Sequence, residues 1–94
     1  MKKSIWKYTL DVTDEQSVVL PSGSRLLTVQ VQNEIPTIWA EVDTEALDRE
    51  RYTLRTYGTG HWVDDDPGVY LGTYQLMEGR LVFHVYHAKT EEVL

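Results

Sequence analysis

The residues with the most capacity for chemistry sit together in Arg55-Thr56-Tyr57-Gly58-Thr59-Gly60-His61-Trp62-Val63-Asp64-Asp65-Asp66-Pro67-Gly68. Gly58 and Gly60 let the backbone turn tightly and approach a ligand closely. Successive N–H groups at such a turn form an anion-binding nest, to which the Thr59 hydroxyl adds a donor. His61 offers a further donor. Arg55 and Tyr57, on the strand that enters the turn, supply a guanidinium for a phosphate and a ring for a base. The expected ligand-binding residues are therefore Arg55, Tyr57, Gly58, Thr59, Gly60 and His61, and the expected ligand is a small anionic, nucleotide-like molecule. Plain turn geometry also explains the glycines, because positive φ alone calls for them. No helix pattern follows, which rejects a P-loop or a dinucleotide fingerprint.

The neighbouring residues carry weaker signals. Asp64-Asp65-Asp66 lacks the alternating oxygen ligands and closing acid of a calcium loop, so it reads as a solvated turn into Pro67-Gly68. His61, His84 and His87 have no zinc spacing, and His84 and His87 fall on opposite faces of one strand. No metal or other cofactor is expected. His61 with Asp64, Asp65 or Asp66 and Thr59 is a conceivable general-base pair, but nothing in the spacing selects it. No catalytic residue is assigned, and the chain is read as non-enzymatic.

These residues are positioned by a chain that alternates with a period of two almost throughout. Trp6, Tyr8, Leu10 and Val12 alternate with Lys7, Thr9 and Asp11. A short strand at 17–20 ends at Pro21-Ser22-Gly23-Ser24. In 25–32, Leu27, Val29 and Val31 share a face. After the short connection Asn33-Glu34-Ile35-Pro36, alternation resumes from Thr37 to Asp43 with Ile38, Ala40 and Val42 inward and Trp39 outward, so the two runs read as a hairpin. Residues 43–51 break the rhythm and fit a loop or at most one short helix. Strand patterns return at 51–57, 69–76 and 81–88, the last two joined by Met77-Glu78-Gly79-Arg80.

About seven short strands joined mostly by tight turns make an all-β fold: one small antiparallel domain, either a compact sandwich or a partly closed barrel. The domain spans residues 1–94, with 1–3 and 89–94 expected to fray.

The chain is small and has no cysteine, so apolar burial must hold it together. Three Trp and six Tyr help to fill the core. Outward Trp39, with Tyr74 and Tyr86 of the apolar C-terminal strands, is the expected interface, and homo-oligomerisation is expected to bury further surface. The net charge of −6 argues against binding a DNA or RNA duplex. Met1-Lys2-Lys3-Ser4 is basic, but no apolar segment follows it. No run is long enough to span a bilayer, so a membrane is not an expected partner and a cytoplasmic location is expected.

Ile5-Trp6-Lys7-Tyr8, Val29-Gln30-Val31-Gln32-Asn33, Tyr57-Gly58-Thr59-Gly60-His61, Asp66-Pro67-Gly68, Tyr70-Leu71-Gly72-Thr73-Tyr74-Gln75 and Leu81-Val82-Phe83-His84-Val85-Tyr86 together resemble a family of small proteins. That family is widespread in bacteriophages and prophages and carries a domain of unknown function. The resemblance covers nearly the whole chain apart from its ends and 43–51. It implies a phage protein acting in the host cytoplasm, in the company of counter-defence factors. Two functions fit: a binder that sequesters a nucleotide-like host signal, or a protein-interaction module acting on a host or virion protein through Trp39.

Overall fold

A computed structural model of the protein describes residues 1–93, with side chains as far as Thr90. Seven strands follow one another: β1 (Lys3–Thr9), β2 (Glu15–Pro21), β3 (Arg25–Gln32), β4 (Ile35–Asp43), β5 (Arg49–Gly58), β6 (Val69–Leu76) and β7 (Leu81–Val93). They form two antiparallel sheets, one in the order β1-β4-β3 and the other in the order β2-β5-β7-β6. The architecture is a sandwich rather than a closed barrel. There is no helix among the described residues, so none is long and apolar enough to cross a membrane.

The alternation places one side of each strand in a shared core. Ile38, Ala40, Val42, Leu26 and Val29 of the three-stranded sheet face Leu20, Tyr52, Leu54, Tyr74 and Val85 of the other. Leu20, Ile38, Leu54 and Val85 are wholly removed from solvent, and burying each contributes about 1.5–3 kcal/mol. Asn33 and Glu34 close the β3–β4 hairpin with φ of 51° and 66°, the two-residue turn whose twist matches its flanking strands.

Two bulges shift the sequence-derived faces. One lies between Leu26 and Thr28, so Leu26 rather than Leu27 joins Val29 in the core. The other lies between Tyr70 and Gly72 and puts Tyr70 on the outer face while Tyr74 points inward. A bulge adds one residue to one strand, and everything beyond it changes sides relative to strict alternation.

Residues 44–48 form turns rather than a helix: the Glu45 N–H donates to Asp43 Oδ1 at 3.0 Å and the Thr44 N–H to Lys2 O at 2.8 Å. The asparagine-like turn of Asp43 and the tie to the N-terminus use up the groups that would start a helix. β7 keeps its pairing with β5 beyond Ala88 as far as Val93, opposite Arg49, so the strand continues through residues expected to fray. Leu94, the end of that expected fray, lies outside the described residues. Lys3, expected at a frayed start, pairs with Asp43.

The two sides of the sandwich differ. β3 packs closely on β6, where the backbone of Gly72 lies against Val29. On the far side β1 and β2 are both edges, and Trp6, which faces the interior opposite Ala40, stays 42% exposed.

Candidate functional site

β5 delivers Arg55 and Tyr57 to the outer face of the four-stranded sheet, beside Tyr86 and His84 of β7. β6 lies beyond β7, so the chain leaving Gly58 cannot turn back as a hairpin and must return to β6 past β7. That requirement explains the long connection at 59–68. It lies over the outer face, where the Tyr57 hydroxyl donates to Asp64 Oδ2 at 2.7 Å. Burial first, and then this bond, push the Tyr57 phenol above its usual range.

The glycine turn is built differently from a nest. The Thr59 N–H donates to Val82 O at 3.1 Å and the His61 N–H to Gly58 O at 3.0 Å, so both amides are already used. Gly60 takes a φ of 89°, which the turn requires. Gly58 serves a close approach, because a Cβ there would lie 3.1 Å from Cε1 of the His61 ring. The Tyr57 hydroxyl is used by Asp64 and that of Thr59 by His84. The His61 ring and the remaining guanidinium N–H groups of Arg55 are therefore the side-chain donors this turn offers a ligand.

His61 stands between two clefts. One, of about 290 Å³, is lined by Arg55, Tyr57, His61, Trp62 and the carboxylates Asp14, Glu15 and Asp64. Arg55 Nε donates to Glu15 Oε1 at 3.1 Å, so the guanidinium is already answered by an acid. Trp62 projects from the loop and is 97% exposed. The other cleft, of about 200 Å³, is lined by Gly58, Thr59, His61 and Arg80 with Leu81, Val82 and Phe83, and no carboxylate lines it. An anion is favoured on the Arg80 side. The first cleft suits a planar group whose amino hydrogens can meet carboxylate oxygens.

Arg80 and Trp62 are the site residues that sequence reasoning missed. Arg80 ends the β6–β7 turn, in which Met77, Glu78 and Gly79 all take positive φ (53°, 58° and 87°). It lines the same cleft as His61 because β5 pairs with β7, with Gly58 opposite Phe83. The signal in the sequence was two loops that each pair a glycine with a basic residue. Bringing them together needed the strand order.

His84 underpins the turn. Thr59 Oγ1 is 2.7 Å from its Nε2 and Thr73 Oγ1 is 2.9 Å from its Nδ1, while the Tyr70 hydroxyl bonds to Thr73. Both ring nitrogens are bonded to threonine hydroxyls, so the ring orientation is fixed and Thr59 is tied to β7. Tyr86 lies edge-on to Tyr57 at 5.8 Å and to Tyr70 at 5.5 Å between ring centroids.

Of the expected interface residues, Tyr86 belongs to this aromatic group and Trp39 is half-buried on the outer face of the other sheet, between Lys7 and Thr28. Tyr74 is different: at 4% exposure and packed against Phe83 it is a core residue, turned inward by the bulge at Leu71. Among the described residues no three His, Asp or Glu side chains gather where they could hold a metal ion.

Neither a curated protein nor a solved structure matches this chain. Its sequence does match one family model along its whole length, residues 1–94, and the chain therefore belongs to the family described as Domain of unknown function (DUF7352).

Proposed function

We propose that this protein is a non-enzymatic binding domain for a small anionic, nucleotide-like ligand held around His61. The observation that carries the reading is that His61 is shared by a basic cleft with Arg80 and an aromatic cleft with Tyr57 and Trp62. The phosphate sits by Arg80, Thr59 and His61, and the base stacks on Trp62 or Tyr57 with its amino edge toward Asp14 and Asp64. Stacking of a base on an aromatic side chain contributes about 1–3 kcal/mol. A charge-assisted bond from Arg80 adds about 1.5–3 kcal/mol.

On this reading the protein comes from a phage or prophage, works in the host cytoplasm as a homo-oligomer, and sequesters a nucleotide signal used in host defence. Exposed Ile5 and Tyr70 are surface that such an oligomer could cover. The test is a thermal-shift screen against cyclic dinucleotides and ADP-ribose derivatives. A member of the panel should raise the melting temperature, and Gly60→Val and His61→Ala should abolish the rise. No response anywhere in the panel would contradict the reading.

A second reading, a protein-interaction module, draws on the other sheet. Ile5 is 58% exposed on the same outer face as Trp39, two register positions away. Capture of a host or virion protein that is lost in Trp39→Ala, with no ligand response, would favour it.

A further inference from the structure

We propose that the open corner of the sandwich, between the free edges of β1 and β2, is a second binding site that takes a small amphipathic carboxylate. A cavity of about 320 Å³ lies there, lined by Trp6, Tyr8, Val19, Pro21, Ala46 and Arg49. That volume is at the small end of ligand pockets, roughly 300–1,000 Å³.

The shape follows from topology. Trp6 and Tyr8 stand opposite Ala40 and Ile38 and so face the sandwich interior. Ala40 and Ile38 are wholly covered, whereas Trp6 keeps 42% of its surface in solvent because β1 is an edge strand. Across the sandwich Gly72 lies close against Val29, and the groove of about 400 Å³ beside them is lined by Thr28, Gln30, Thr73 and Gln75 and holds no arginine. The corner beside Trp6 thus keeps an aromatic and aliphatic wall wet, and an apolar body placed there removes that wall from water.

Charge selects the head group. Arg49 lines the cavity and no carboxylate does. Elsewhere in the molecule Lys3 and Arg25 are answered by Glu41, Lys89 by Glu50 and Arg55 by Glu15. Arg49 makes no ion pair among the described residues. On a chain of net charge −6, an arginine left facing an apolar cavity is a fork-shaped donor suited to a carboxylate. The Tyr8 phenol is pushed up by burial and drawn back by the nearby Arg49 charge. The Tyr8 hydroxyl, which makes no hydrogen bond among the described residues, is a second donor for the same head group. A second copy of the chain is a poor occupant, because Lys3 and Lys7 lie on β1 and lysine on an edge strand opposes pairing with another edge.

The test titrates 2-naphthoate into the labelled protein and follows amide and indole N–H resonances, with 2-naphthol as the uncharged counterpart. Trp6→Phe identifies the Trp6 indole signal and keeps an apolar side chain in place. The naphthoate should move the Trp6 indole and the Tyr8, Val19 and Arg49 amides while leaving the Trp62 indole unmoved. Loss of one charge-assisted contact should weaken binding about tenfold both for 2-naphthol and in Arg49→Gln. Arg49→Gln alters an exposed side chain, and an otherwise unchanged spectrum will confirm its fold. The proposal is overturned if no resonance moves, if the shifts gather at Trp62 and His61, or if Arg49→Gln binds as the parent does. It is equally overturned if sedimentation shows a dimer in which Trp6 is already covered.

Discussion

Gly72→Ala is expected to wedge β3 away from β6. A Cβ at this position would stand 2.9 Å from Val29 Cγ1 and 3.6 Å from Val29 O, against an ordinary carbon–carbon contact of about 3.5–4.0 Å. Val29 is 2% exposed and β-branched, so its methyl can neither swing into solvent nor change rotamer freely. Relief must come from a shift of β3 against β6, and overpacking of this kind costs about 1–3 kcal/mol. Gly72 has no positive φ, so alanine suits its backbone and recovers about 0.4–1 kcal/mol by restricting the unfolded chain.

Taking the middle of both ranges, the net loss is about 1.3 kcal/mol, which at about 4–8 °C per kcal/mol lowers the melting temperature by about 5–10 °C in a domain of this size. Val29→Ala makes room for the new methyl. The double variant should therefore be more stable than the sum of the single losses by about 1 kcal/mol or more, read from urea unfolding curves. If the two losses add to within about 0.5 kcal/mol, or if Gly72→Ala costs nothing, the close packing of β3 on β6 is wrong.

Two other glycines separate backbone strain from crowding. Gly60 has positive φ and open space around a would-be Cβ, so Gly60→Ala should cost only the backbone term of about 1–3 kcal/mol. At Gly68 a Cβ would also collide with the carbonyl of His87, so Gly68→Ala should unfold at distinctly lower urea; equal midpoints would contradict this.

Burial holds the His87 imidazole below its ordinary range, and its Nδ1 is buried without a hydrogen-bond partner. The unfolded chain then takes up this proton before the folded one as pH falls. The related stability is complete above about pH 6.5 and declines from there down through the lower folded value. His87→Phe should be neutral or stabilising at neutral pH and should flatten the slope of unfolding free energy between mildly alkaline and mildly acidic buffers; an unchanged slope would count against it. Tyr74→Ala should cost about 3–5 kcal/mol as a core truncation, with sedimentation unchanged, whereas a shift in oligomeric state without loss of stability would restore it to an interface.

Alternation and turn residues were enough to read seven strands, an all-β domain and a hairpin of β3 with β4, because these features are written in adjacent residues. Ile35 and Pro36, however, belong to β4 and not to the turn. The faces of Leu27, Tyr70 and Tyr74 were not legible. A bulge changes the phase of a strand without a marker of its own, and the extra residues at Leu27 and Leu71 look like ordinary apolar positions. The run that sets Trp6, Tyr8 and Leu10 on one face was legible, yet the exposure of Trp6 depends on β1 lying at a sheet edge. The Gly58 to His61 turn was legible as an unusual stretch, but its use of the Thr59 and His61 amides depends on Val82 arriving beside it. Arg80 was hidden for the same reason: β5 pairs with β7 and not with β6, a long-range choice that no local pattern specifies.

Calorimetric titration of ADP-ribose and of a cyclic dinucleotide into the wild type, Arg80→Gln and Trp62→Ala tests the His61 site most directly. Saturable binding of at least one of them to the wild type is predicted, weakened about tenfold or more in each variant, since each removes one contact of about 1.5 kcal/mol. Absence of binding to the wild type, or affinity unchanged by Arg80→Gln, would contradict a ligand held between the two clefts.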